Sequence, residues 1–183
     1  FPGAIECSKK DLEKISNLKN TSDVIAVSKI PNKLKYENDD KPIIYLENIN
    51  DPGNLGNIIR SLDWFGFKNV FCSKNTVDQY NNKTIMASMG SIFRIQTHYI
   101  NYQEFRKKFS DHRLYISTLS GKNIKEVEFK KKAIMVIGSE SRGVSDEIKN
   151  DNHQPVKIPG MGEAESLNVG VATGIILNEM ING

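Results

Sequence analysis

From Pro42 onward, short apolar runs alternate with stretches in which apolar residues recur at helical spacing. The runs predict strands at "IIYLENI" (43–49), "NVFCS" (69–73), "SIFRIQ" (91–96), "RLYIST" (113–118), "KAIMVIG" (132–138) and "PVKIP" (155–159). Between them, "NLGNIIRSLDWFG" (54–66) puts Leu55, Ile58, Ile59, Leu62 and Phe65 on one stripe, and Gly66 is a natural stop. Further helices are expected in "NKTIMASMG" (82–90), in "NYQEFRKKF" (101–109) and from about Ser166 to Met180. Before Pro42 the chain is polar and weakly patterned. "CSKKDLEKISNL" predicts one helix with Leu12, Ile15 and Leu18 aligned, "DVIAVSKI" a short strand, and "PNKLKYENDDKP" a linker. Two regions follow, 1–41 and 42–183.

Strands alternating with helices imply an α/β fold, a parallel sheet covered by helices on both faces. Such sheets bind ligands beyond the carboxyl ends of their strands. Two glycine-bearing loops fall there: "IGSESRG" after the Ile134 run and "IPGMGEAES" after the Val156 run. The ligand is expected between them.

Composition narrows the class. The 183 residues are 38% hydrophobic and 26% charged, and the net charge is +3. This is the profile of a globular domain and permits a polyanionic partner without requiring one. No apolar run approaches membrane-spanning length, and no secretory leader pattern is present, so a cytoplasmic protein is expected. Cys7 and Cys72 are too far apart to outline a disulfide framework, and with His98, His112 and His153 they match no zinc spacing, so no metal is expected. The lysine clusters 107–108 and 130–132 read as solvated faces. Phe65 belongs to the core stripe, while Trp64 and Phe67 are open to either core or base-stacking roles. The chain opens on Phe1 rather than Met, so a preceding segment is expected.

The loops exclude two nucleotide chemistries. A dinucleotide fingerprint needs a third glycine where Glu165 stands, and Glu163 and Glu165 would face a pyrophosphate. A Walker loop at "GSESRGVS" (138–145) would need lysine where Val144 stands, and Glu140 would repel phosphate. Glycines admit close backbone approach, and nearby carboxylates favour a cation. S-adenosylmethionine, an adenosine bearing a sulfonium and no phosphate, meets both conditions.

Three segments then carry a resemblance: "NINDPGNLGNIIRSLDWFGF" (48–67), "IMVIGSESRGVS" (134–145) and "IPGMGEAESLNVGVATGIIL" (158–177), with "MASMGSIFRI" (86–95) between the first two. In order and spacing they resemble the motifs of the SpoU (TrmH) family of RNA ribose 2′-O-methyltransferases, in the SPOUT superfamily. The resemblance implies a parallel α/β sheet with a deep C-terminal trefoil knot, which ordinary topology would not suggest. It also implies S-adenosylmethionine as cofactor, RNA (ribosomal ahead of transfer RNA) as substrate, and a homodimer. It makes residues 1–41 resemble the end of an L30e-like RNA-binding domain with its linker. A base methyltransferase of the same superfamily, or a non-catalytic RNA-binding protein keeping the knot, are the alternatives.

The resemblance assigns catalytic positions to Arg60, Asn54, Glu140, Ser166 and Asn168. Gly138, Ile158, Gly160, Met161 and Leu167 would line the cofactor site with Ser166 and Asn168. Each has a plain reading as well: Arg60 paired with Asp63 one turn on, Asn54 and Ser166 as helix N-caps, Glu140 as a solvated loop acid. Glu140 is expected to orient Arg60 or another side chain across the site. Gly138 and Gly143 are expected to let the backbone approach the cofactor. Gly170, Gly160, Thr173 and Gly174 depart from the usual third motif and bear on the packing of the last helix.

Overall fold

The computed structural model describes residues 2–16, 18–31, 36–37, 41–140 and 142–183. The chain divides into two compact units, Phe1–Lys35 and Tyr36–Gly183.

In the first unit, helix α1 spans Lys9–Ile15, capped by Ser8, whose hydroxyl accepts from the Asp11 amide. The stripe Leu12, Ile15, Leu18 gives this helix no buried residue. Residues 23–30 form no strand. Val24, Val27 and Ile30 are exposed, and an apolar run without a neighbouring strand to bond forms no ladder. Much of the expected linker (32–35, 38–40) lies outside the described residues.

The second unit holds six parallel strands in the order β3-β2-β1-β5-β4-β6: β1 Ile43–Glu47, β2 Asn69–Cys72, β3 Gln96–Tyr99, β4 Arg113–Asn123, β5 Ala133–Gly138 and β6 His153–Lys157. The helices are α2 Pro52–Trp64, α3 Asn82–Ser88, α4 Tyr102–Lys108, α5 Asp146–Lys149 and α6 Val169–Asn182. The strand β1 is buried at every position, as a central parallel strand must be. Its alternation sorts the core. Ile44 and Leu46 join Leu55, Ile58, Ile59 and Leu62 of α2 and Ile176 and Leu177 of α6. Ile43 and Tyr45 join Tyr102 and Phe105 of α4 and Ile148 of α5 on the other face. Each α2 aliphatic in that stripe contributes about 1.5–3 kcal/mol by burial.

The "SIFRIQ" segment is not a strand throughout. Ser91–Phe93 form a 3-10 turn, and β3 begins at Gln96. Met89 and Gly90 are left-handed (φ 48° and 86°), which breaks extension. Ile92 and Ile95 are both buried at a spacing of three, a turn period rather than a strand period.

Strand β4 outruns its expected length. Ser117 and Lys122 both register with Val156, so residues 118–121 bulge out at its carboxyl end. A Cβ on Gly121 would lie 2.7 Å from the Pro155 carbonyl carbon, so only glycine lets the bulge rejoin β6 there. No helix among the described residues is long and apolar enough to cross a membrane.

Candidate active site

The sheet's order reverses between β1 and β5, and their carboxyl ends lie side by side, Glu47 in register with Gly138. A crevice at that reversal is where open parallel sheets hold ligands. The loops after β1, β5 and β6 bring three residues of the three motifs into contact there. The Asn168 side-chain amide donates to Asn54 Oδ1 (2.8 Å) and to Glu140 Oε1 (2.9 Å). Asn54 Nδ2 reaches the same carboxylate oxygen at 3.4 Å, and the Val169 amide donates to it at 2.8 Å.

Two helix starts explain the geometry. The cap of α2 is Asp51, which accepts from the Asn54 amide at 2.7 Å, with Pro52 as the first helical residue. Asn54 is therefore not the cap, and its side chain points across to the other loops. The cap of α6 is Asn168, whose Oδ1 accepts from the Gly170 and Val171 amides. Ser166 is not the cap and lies two residues earlier, exposed in the loop. Glu140 places its charge at the amino end of α6, where the helix dipole favours an anion. The expectation that Glu140 orients a side chain across the site holds for Asn168 and Asn54; no hydrogen bond joins it to Arg60 among the described residues.

Arg60 is exposed on α2 and is not paired with Asp63. Asp63 is taken by Arg94, which donates through Nε (2.9 Å) and a terminal nitrogen (2.7 Å), and by the Ser91 hydroxyl (2.7 Å). The Arg94 guanidinium holds the Asp63 carboxyl below the usual carboxylate range. Sequence reasoning missed Arg94; its signal was a basic residue beside a segment already counted among the motifs. With Asp63 satisfied elsewhere, the Arg60 side chain is left exposed on α2.

The glycines divide into two kinds. A Cβ on Gly138 would lie 2.3 Å from the Gly143 carbonyl group, and Gly143 itself is left-handed (φ 63°) and bridges Ser139. Gly138 is thus demanded by the loop's own closure. A Cβ on Gly160 or on Gly162 would meet nothing within 4 Å. Between and after them, Met161 is fully exposed (102%), and Leu167 is 45% exposed. Ile158 packs partly against the core. The structure therefore brings Asn54, Glu140 and Asn168 together, and leaves Gly160, Met161, Ser166 and Leu167 along an open loop at the same end of the sheet. Leu119, exposed on the β4 bulge, is a further apolar side chain at that end which sequence reasoning did not single out.

The departures in the last helix are accommodated. Thr173 is fully buried and satisfies its hydroxyl on the Val169 carbonyl at 2.7 Å. A Cβ on Gly170 would lie 3.3 Å from Asn57 Cβ, whereas one on Gly174 would have 3.9 Å to Ser61 Oγ. Phe67 is core, Phe65 is partly buried against it, and Trp64 is 85% exposed.

Fold and site together define a parallel α/β domain in which amide and carboxylate side chains from three loops meet at the carboxyl ends of the strands. The match of residues 41–178 to the SpoU rRNA methylase model shows that the chain belongs to that family. An uncharacterized tRNA/rRNA methyltransferase of Archaeoglobus fulgidus is 36% identical over 140 residues, covering 74% of this chain and 62% of its own. The 23S rRNA (guanosine(2553)-2′-O)-methyltransferase RlmP of Bacillus subtilis is 29% identical, covering 75% and 56%. Among solved structures, the AdoMet-bound rRNA methyltransferase of Sinorhizobium meliloti superposes with a TM-score of 0.72 at 30% identity, over 76% of this chain and 55% of that one. The chain thus spans about three fifths of the length of these curated relatives.

Proposed function

We propose that this protein transfers a methyl group from S-adenosylmethionine to a ribose 2′-OH of RNA, ribosomal RNA ahead of transfer RNA. The carrying observation is the Asn54–Glu140–Asn168 cluster, which joins all three motifs, with Arg60 exposed on the same helix as Asn54. The relative from Bacillus subtilis is named for 2′-O methylation and the Sinorhizobium meliloti structure for bound AdoMet, which supports the reading.

The residues present suit such a cofactor. Open glycines 160 and 162 leave room for close contact, and Met161, Leu167 and Leu119 offer apolar surface. Glu140, Glu163 and Glu165 make the surroundings compatible with a cation. Gly138, Ile158, Gly160, Met161, Leu167, Ser166 and Asn168 would hold the cofactor, which supplies an electrophilic methyl on its sulfonium. Arg60 would hold the ribose oxygen or its neighbouring phosphate and stabilise negative charge as the hydroxyl proton leaves to water or phosphate. A guanidinium stays protonated, so it serves as an electrostatic clamp rather than as a base. Asn54 and Asn168, fixed by Glu140, would position the ribose.

We further infer a cytoplasmic homodimer, a threaded C-terminal segment, and a front region (1–41) left from an L30e-like RNA-binding domain. Exposed Trp64 on α2 and Val171 on α6 favour an occluding second copy. The path of α6, which starts from the β6 edge yet packs on α2, favours the threading.

S-adenosylhomocysteine should raise the melting temperature, whereas ATP and NADH should not. With labelled methyl donor and unmodified RNA, nuclease digestion should yield a 2′-O-methylated nucleoside. Arg60→Ala should lose roughly 100- to 1,000-fold in transfer while keeping cofactor affinity. A base-methylated product, or loss of cofactor binding in that variant, would overturn the assignment.

A further inference from the structure

On the face of the sheet opposite α2 and α6, a second cavity opens at the carboxyl ends of β1 and β2. It measures about 460 Å³ and is walled by Glu47, Asn48, Ser73, Lys74, Asn101 and Ser145, among others. This volume suits a nucleoside-sized ligand. Nothing in the proposed methyl transfer uses it.

Its chemistry is specific. Glu47 is 6% exposed, and its Oε2 accepts from the Ser145 amide at 2.8 Å. Its second oxygen has no hydrogen-bond partner among the described residues and belongs to a side chain lining the cavity. The hydroxyl of Ser145, a residue of the same wall, is buried with no hydrogen-bond partner among the described residues. Buried polar atoms are nearly always paired, so an open carboxylate oxygen close to an unpaired hydroxyl makes this wall unusual. Asn48 holds a left-handed backbone (φ 54°), fixed by the Ser73 hydroxyl, which accepts from its amide at 2.9 Å. That turn directs the chain from the cavity wall into the loop leading to Asn54. Lys74, exposed at the rim, supplies a cation.

We infer that this cavity is a recognition subsite for a guanine-bearing nucleotide of the RNA that the crevice acts on. A carboxylate edge accepts the adjacent N1–H and N2–H donors of guanine. Adenine and cytosine offer one amino group to such an edge, and uracil one imide N–H. Lys74, at the rim, meets a phosphate. A single strand would then cross the strand ends, because Glu47 and Gly138 are paired neighbours there and Glu140 lies two residues beyond. Unstacked bases read along their edges are the usual targets of sequence-specific RNA recognition. The inference rests on RNA being the substrate.

The full chain should be titrated with a labelled heptamer of adenosines carrying one central guanosine, and with the all-adenosine heptamer, by fluorescence anisotropy. The guanosine heptamer should bind at least fivefold tighter. Glu47→Gln should erase the preference, and Lys74→Ala, on an exposed side chain that folding does not need, should weaken the guanosine heptamer severalfold. GMP competing as well as the heptamer would show that a free nucleotide is the occupant and overturn the RNA assignment. Equal binding of the two heptamers, or a preference that survives Glu47→Gln, would overturn the subsite. Methyl transfer measured in parallel separates the two readings: transfer without guanosine preference removes the subsite alone, and preference without transfer removes the methyltransferase reading alone.

Discussion

At the residue scale, two arginines on neighbouring elements have opposite fates. Arg94 is locked to Asp63 by a forked pair, while Arg60, one turn before Asp63 on the same helix, has no hydrogen bond or ion pair among the described residues. The sequence offered Arg60–Asp63 as the natural pair, and only folding brought Arg94 in to replace Arg60. Glu140 is the other decisive residue, since one of its oxygens collects donors from Asn54, Asn168 and Val169. Glu140→Ala should cost about 1 kcal/mol, through lost hydrogen bonds and lost charge at the α6 amino end. Because Asn54 and Asn168 lose their common anchor, transfer should fall on the order of 100-fold. Urea denaturation and methyl-transfer rates check the two effects separately.

At the element scale, the loops after β5 and β6 differ in what their glycines do. Gly138→Ala should destabilise by about 1–3 kcal/mol, because its methyl would meet the Gly143 backbone, which cannot swing away. Gly160→Ala, with open space around it, should change stability by less than about 0.5 kcal/mol and weaken S-adenosylhomocysteine binding instead. Thermal melts with and without that ligand distinguish the two, and equal stability losses would remove the distinction. The elements themselves were largely legible: β1, β2, β5, α2 and α4 fall within a few residues of their expected bounds. Misreadings have local causes. A left-handed pair at Met89–Gly90 turned "SIFRIQ" into a 3-10 turn, and Asp51 and Asn168 took the caps because their side chains, not those of Asn54 and Ser166, face the free amides.

At the scale of the whole molecule, paired carboxylates on several elements contribute to acid stability. Hydrogen bonds from Arg94 lower Asp63, and those from Lys132 and His112 bring Asp111 to about 2. Burial acts upward on Asp151, but hydrogen bonds from Tyr102 and Arg106 overcome it. A lowered folded-state pKa means that the unfolded chain binds more protons, so this stability is complete above the ordinary value of 3.8 and is lost as pH falls toward about 2. The urea midpoint should be flat with respect to these groups from pH 6 to 5 and should drop between pH 4 and 2. Asp63→Asn should show a shallower drop, and an unchanged slope would refute the role of that pair. Light scattering at neutral pH should give twice the 20.6 kDa chain mass if the proposed homodimer forms, and a single chain mass would refute it.

By itself, the sequence determined the alternation of strands and helices, the buried central strand, the apolar stripe of α2 and the segments that carry chemistry. Those features follow from period and composition, which are local. Tertiary structure alone decided that Arg94 frees Arg60, that one carboxylate gathers three donors from segments up to 114 residues apart, and that Glu47 turns a carboxylate into a second cavity. These depend on which strand ends lie side by side, and sheet order is a property of the packed chain that no stretch of residues encodes alone.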